Sequence, residues 1–322
     1  MATDKNKHLD SVIKTHQISK EEDLLEKFKA RNKEVKEDLE EEYNEKIYSP
    51  FNSGSYAKNT AVNTKFDFDL VSPFKRNAFD TLKGMYEDVY EFLKEKYKSV
   101  ATVRKQKVSI GIEFNADEDG DIVKIDVVPG REMNQDQYKD DDNLNLYVYY
   151  KYGNIEEGSE RIKSNIQAQI ANIKDRATSE KDSIRKNIRL LKVWKVKHNK
   201  PPKSFFLELI TIKAFDNKTI SGSIWDRLRA VLEYIRDEVT KEGFTLKDPG
   251  NSSNDIADTL TKSEKQNLSD DMKYMLERID ADSDSIKTYF PENEKFLEEE
   301  DKYDNNSGGS LFSIPPPKER FG

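Results

Sequence analysis

The chain has no cysteine, which removes disulfide staples, zinc–thiolate centres and thiol nucleophiles together. Its three histidines, at positions 8, 16 and 198, are scattered. No stretch of about twenty apolar residues occurs, as a membrane-spanning helix requires. The opening MATDKNKHLD has neither the apolar core of a secretory signal nor the character of a transit peptide. A concentrated basic face is missing too. The formal net charge is −8 and lysines and arginines are interleaved with acids, whereas holding duplex nucleic acid takes clustered cations to neutralise phosphates. These absences favour a cytoplasmic protein with no duplex nucleic acid and no membrane among its partners. What is present is 322 residues, 36% of them charged, with a mean hydropathy of −0.91. That is material for one or two domains with a sizeable core and a well-solvated surface.

The most informative stretch is FNSGSYAKNTAVNTKFDFDLVSPF. Lys65 to Val71 alternates, placing Phe66, Phe68 and Leu70 on one side and Asp67 and Asp69 on the other, the period of a half-buried strand. Both carboxylates then leave one face two residues apart, a spacing suited to a shared metal site. Gly54-Ser55, twelve residues before Asp67, reads as a turn whose backbone and hydroxyl hold a triphosphate. A third acid is offered by DIVKIDVVPG, another alternating segment, in which Ile125 and Val127 face a core and Asp126 faces away. Two carboxylates ~4 Å apart repel by roughly 4 kcal/mol at an effective dielectric near 20. Three on one sheet surface therefore call for divalent cations, and magnesium favours carboxylates combined with phosphate oxygens. A lone Asp-x-Asp is commonly a pair of solvated acids; the Gly-Ser turn and the third strand favour a metal site.

These residues together resemble the polymerase-beta-like nucleotidyltransferases, in particular the branch with cyclic GMP-AMP synthase, the oligoadenylate synthetases and the bacterial cGAS/DncV-like enzymes (CD-NTases). Further on, RLLKVWK is similar to that branch's helix bearing a triphosphate-contacting lysine, which maps to Lys192. SFFLEL resembles the next helix, whose opening serine contacts the donor nucleotide and whose aromatic stacks on the base, here Ser204 and Phe205. Lys247-Asp248-Pro249 with Asn254-Asp255-Ile256-Ala257 also resembles a segment of the branch. The likeness runs from about residue 20 to about 280.

The resemblance implies an α+β fold: a polymerase-beta-like nucleotidyltransferase lobe with a mixed sheet, an α-helical second lobe, and an active site in the cleft between. It implies Asp67, Asp69 and Asp126 as catalytic and metal-binding residues for two Mg2+ ions, with Mn2+ as an alternative. Gly54, Ser55, Lys192, Ser204 and Phe205 would bind nucleotide. The substrates would be nucleoside triphosphates (ATP, with GTP or a pyrimidine triphosphate as further choices). The product would be a cyclic di- or trinucleotide second messenger in antiphage (CBASS) signalling, read by an effector protein. The zinc-bound insertion of animal cyclic GMP-AMP synthase cannot be built without cysteine. Many bacterial relatives end in a residue activated by an E1/E2-like partner, which makes Gly322 a candidate conjugation site. Competing readings are a linear oligoadenylate-type synthase, a transferase that nucleotidylates RNA, protein or a small molecule, and an inactive binding module. The intact acids argue against the last.

Along the chain the pattern predicts a core of residues 1–157, a helical domain of 158–301 and a flexible tail of 302–322 rich in glycine, serine and proline. A long charged helix covers about 20–46, with a thin apolar stripe suited to packing across both lobes. A second helix spans Asn77 to Tyr97. Strands lie near 108–114 and 122–128. Helices follow near 159–176, 179–198, 204–215, 221–241 and 263–281. The aromatic run Tyr147 to Tyr152 and Trp194 are assigned to packing. Arg104, Lys105 and Lys107 form a compact basic strand whose plainest role is a solvated face.

Overall fold

The computed structural model describes residues 2–64, 67–149 and 161–297. Its first element, helix α1 (Lys5–Thr15), begins where the Asp4 carboxylate accepts the backbone N–H groups of Asn6 and Lys7, so two otherwise orphaned amides are satisfied. Helix α2 (Glu22–Tyr43) buries Leu25, Phe28, Val35 and Leu39 and turns its Glu/Lys pairs to solvent. This is an amphipathic stripe at helical period. After β1 (Phe51–Asn52) and the short helix α3 (Gly54–Ala57), the chain enters β2 (Phe68–Phe74). Helix α4 (Leu82–Tyr97), capped by Thr81, leads to β3 (Ala101–Lys105), β4 (Ile110–Phe114) and β5 (Lys124–Glu132). A single turn, α5 (Tyr138–Asp141), precedes β6 (Leu144–Tyr147), and β7 (Arg161–Ser164) completes the sheet.

The strand order is β1-β2-β5-β4-β3, with β6 joining the later half of β5 and β7 pairing β6. β2 and β5 run parallel and the other pairs antiparallel, so the sheet is mixed. The β2–β5 register sets Phe68 beside Ile125, Asp69 beside Asp126 and Leu70 beside Val127. Period two then sends both apolar neighbours of each aspartate into the core under α2 and α4. Phe68, Leu70, Ile125 and Val127 are all buried there.

The helical lobe comprises α6 (Ile166–Lys174), α7 (Thr178–Lys197), α8 (Ser204–Asn217), α9 (Ile224–Glu238), the hairpin β8 (Lys247–Asp248) and β9 (Asn251–Asp255), α10 (Lys262–Ala281) and α11 (Ile286–Tyr289). Helix α8 is buried on most of its circumference, with Phe206, Leu207, Leu209, Ile210 and Ile212 all inside. It is the central element against which α7, α9 and the turn after β9 pack. Trp194 sits in this core, as expected.

Four expectations need correction. Residues 161–164 form β7 rather than the start of a helix, because their backbone pairs with β6; Asn165, whose side chain accepts the Ala168 N–H, starts the helix instead. The helix expected from Asn77 starts at Leu82, since Thr81 supplies the cap and Arg76–Ala78 is a separate 3-10 turn. The long N-terminal helix buries its stripe in the sheet lobe alone. Crossing to the other lobe falls to α1, whose Leu9, Val12 and Ile13 enter the helical core beside α7 and α9. By packing, then, the helical core recruits α1 from the chain's first residues, and the sheet extends past residue 158 to β7. Of the aromatic run, Tyr147 closes β6 and is buried; residues 150–152 lie outside the described residues, as do Lys65, Phe66, the 302–322 tail and Gly322.

Candidate active site

Gly54 opens α3 with φ +61°, and a Cβ at that position would lie 1.7 Å from Asp69 Oδ2. Only glycine lets the backbone take that conformation so close to the carboxylate. The Ser53 N–H donates to the Asp69 carbonyl at 2.8 Å, which fixes the turn over β2. Burial pushes the Asp69 carboxyl up to about 7, with further rises from the charges of Asp67 and Asp126. Asp126 is also raised, by burial first and then by Asp67. Against this, Gln106 Nε2 donates to Asp126 Oδ1 at 2.9 Å. Ser109 Oγ holds the other end of that amide at 2.8 Å.

The charges of Asp67 and Asp126 both reach Asp69, but the three acids are not as tightly caged as the sequence suggested. Among the described residues, the acids whose oxygens all lie within 4.8 Å of one another are Asp117, Asp119 and Asp121. Asp67, Asp69 and Asp126 stand further apart. Strand register sets Asp69 against Asp126, whereas Asp67 precedes β2 and is exposed, so no ladder fixes it. The tighter trio already shares one cation: Lys27 Nζ lies 2.7 Å from a carboxylate oxygen of each, tying α2 to the β4–β5 hairpin.

Across the cleft, Lys192 is 5% exposed, and its Nζ donates to Thr60 O at 2.9 Å and Thr60 Oγ1 at 3.0 Å. Burial lowers it to about 8, since an ammonium in a desolvated site is held less firmly than in water. Lys58, which sequence reasoning passed over, is 6% exposed and pairs with Glu208, itself 2% exposed. The Lys58 ammonium also lies 4.9 Å from the Phe205 ring centroid. The ion pair joins the end of α3 to α8, and so one lobe to the other. Its only sequence signal was a lysine three residues after Ser55.

These groups enclose a cavity of about 390 Å³ whose lining includes Gly54, Ser55, Asp67, Asp69, Lys192, Ser204 and Phe205. Seven of the eight core and nucleotide residues expected from the sequence meet there. Asp126 is outside the lining, one strand over from Asp69. Lys58, Glu208 and Gln169 were missed and also line it. Of the basic strand, Lys105 is paired with Glu87 and Arg104 lies 3.4 Å from Glu113, as befits a surface. The oxygen-only donor set of three aspartates, two of them with raised affinity for protons, fits hard divalent cations. Beside it, Gly54 and Ser55 open α3, where backbone N–H groups suit an anion.

A glycine-serine turn over an acidic parallel strand pair, faced by a buried lysine on a helical lobe, is the arrangement expected of a nucleotidyltransferase. A family model described as the Second Messenger Oligonucleotide or Dinucleotide Synthetase domain (SMODS) matches residues 3–148. The CBASS oligonucleotide cyclase CdnC of Escherichia coli (strain KTE188) is 25% identical over 240 residues, 67% of this chain and 71% of CdnC. The structure of E. coli MS115-1 CdnC with ATP superposes with a TM-score of 0.68 at 19% identity, covering 88% of this chain and 97% of that one. Bradyrhizobium diazoefficiens CdnG with GTP gives a TM-score of 0.67 at 12% identity, covering 90% and 96%. Residues 3–148 thus resemble the SMODS domain, and the chain shares its fold with CdnC and the CD-NTase CdnG. Among the described residues no helix is long and apolar enough to cross a membrane.

Proposed function

We propose that this protein joins nucleoside triphosphates into a cyclic di- or trinucleotide second messenger for CBASS antiphage signalling, releasing one pyrophosphate per bond. The observation that carries the reading is the β2–β5 register. It sets Asp126 beside Asp69, and Asp69 lines a cleft whose other wall presents Lys192, Ser204 and Phe205. Gly54 and Ser55 take the donor's β- and γ-phosphate oxygens through backbone N–H groups and the hydroxyl. Phe205 supplies an aromatic face for the base. Lys192, which lines the cleft and whose ammonium is held by Thr60, stabilises charge as pyrophosphate departs. Asp67, Asp69 and Asp126 would hold two Mg2+ ions, or Mn2+, which when bound activate the attacking hydroxyl and neutralise the leaving phosphates. Asp126, oriented by Gln106, positions the acceptor ribose hydroxyl for in-line attack on the α-phosphorus. The linear intermediate rebinds, and a final transfer, the second for a dinucleotide or the third for a trinucleotide, closes the ring. The triphosphates of the relatives' complexes, ATP with CdnC and GTP with CdnG, support ATP and GTP as substrates here. The product acts through an effector that senses it, in the cytoplasm where its precursors are made.

Incubation with the four labelled triphosphates and Mg2+, followed by phosphatase, tests this. A phosphatase-resistant product is expected, and Asp67→Ala with Asp69→Ala removes it. A phosphatase-sensitive ladder, or label on protein or RNA, would overturn the cyclase reading.

A further inference from the structure

The Asp248 segment noted in the sequence plays no part in the transfer chemistry, yet it reaches the cavity through Gln169. Asp248, in β8, is 6% exposed. Its Oδ1 accepts the Gly250 N–H at 2.8 Å and the Gln169 Nε2–H at 2.9 Å, and its Oδ2 accepts Asn254 Nδ2–H at 3.2 Å. The turn is pressed onto the start of α6: Asn165 N donates to Gly250 O at 2.8 Å, and a Cβ at Gly250 would lie 2.5 Å from Asn165 O. Gln169, one helical turn from Ile166 on the same face, lines the cavity together with Ile166, Val196 and Phe205.

An ionised carboxylate only accepts hydrogen bonds. The network therefore fixes which way the Gln169 amide points, its NH2 toward Asp248, leaving its carbonyl oxygen as an acceptor with no partner among the described residues. A fixed acceptor beside an aromatic and two aliphatic side chains is a reader of base edges. Adenine and cytosine carry an exocyclic amino donor where guanine, hypoxanthine and uracil carry a carbonyl, which would face the Gln169 oxygen with like polarity. We propose that Gln169, held by Asp248, selects the donor nucleotide's base, favouring amino bases, adenine first, over keto bases. The larger purine ring offers more area to Phe205. This inference rests on the cavity being the donor-nucleotide site.

Calorimetric binding of the α,β-methylene analogues of ATP and of inosine triphosphate tests it on the intact protein. The wild type binds the adenosine analogue about tenfold more tightly, the scale of one hydrogen bond. Gln169→Met brings that ratio close to one. Asp248→Asn offers the amide a partner of either polarity, so Gln169 can turn, and the inosine analogue gains. A merely structural role for the network would weaken both analogues alike and leave the ratio unmoved. An unchanged ratio in Gln169→Met or in Asp248→Asn overturns the proposal. Wild type that shows the ratio but forms no phosphatase-resistant product overturns the cyclase reading while leaving the base reader standing. Product formation with an unchanged ratio removes the base reader alone.

Discussion

Replacing Asp69 with asparagine makes the protein more stable and inactive. The folded carboxyl holds its proton up to about 7 against an ordinary 3.8, chiefly because it is buried and secondarily because Asp67 and Asp126 repel its charge. Between those two values the folded state binds more protons than the unfolded state, so stability falls as pH rises, and above about 7 the full penalty applies. A shift of roughly three units corresponds to about 4 kcal/mol at pH 8. At pH 5.5 the folded carboxyl is still mostly protonated, and the penalty is about half as large. Asparagine keeps the shape and removes the charge. Urea unfolding in EDTA should therefore show Asp69→Asn more stable than wild type by up to about 4 kcal/mol at pH 8, with a smaller gain at pH 5.5. Added Mg2+ should raise wild type more than the variant and narrow the gap, while nucleotidyl transfer is lost. A wild type as stable as the variant in EDTA at pH 8, or an equal gain at both pH values, refutes the reasoning.

Other substitutions probe the surroundings of the site. Glu208→Leu leaves the Lys58 ammonium buried without its partner and should cost about 3–5 kcal/mol by urea unfolding, whereas Lys58→Met combined with Glu208→Leu should recover most of it. Recovery failing in the double variant would mean that the loss comes from packing. Gly54→Ala forces a methyl against Asp69 Oδ2 and should abolish transfer, measured as product per enzyme, with weakened binding of a triphosphate analogue. Gln106→Leu removes the amide that orients Asp126. It should raise the Mg2+ concentration for half-maximal rate about 10- to 100-fold, the usual range for such supporting contacts; an unchanged Mg2+ requirement assigns Gln106 to the β3–β4 turn only.

How far the molecule can be read from its sequence varies by element. The two aspartate strands were legible because alternation is local: Phe68 and Leu70 go in and Asp69 goes out whatever else the chain does. Helices α7 and α8 were legible from their runs of apolar residues, although neither is opened by a side-chain cap. Helix α1 was overlooked although Asp4 caps it and Leu9, Val12 and Ile13 repeat at three and four; a stripe of three residues is weak until a partner core appears. The four residues of β7 carry too short a pattern to distinguish strand from helix, and pairing with β6 decides the matter.

The sequence by itself determined the chemistry on offer: oxygen donors for hard cations, a glycine-serine turn for phosphates, and no thiol or histidine route. Each of those is a matter of residue type and short spacing. Tertiary structure alone decided who stands beside whom. It set Asp126 one strand from Asp69 and left Asp67 looser than the pattern suggested. It buried Lys58 on Glu208, 150 residues away, and turned Gln169 by means of Asp248, 79 residues away. Such pairs leave no periodic trace along the chain, because burial and strand register, not sequence neighbours, bring them together.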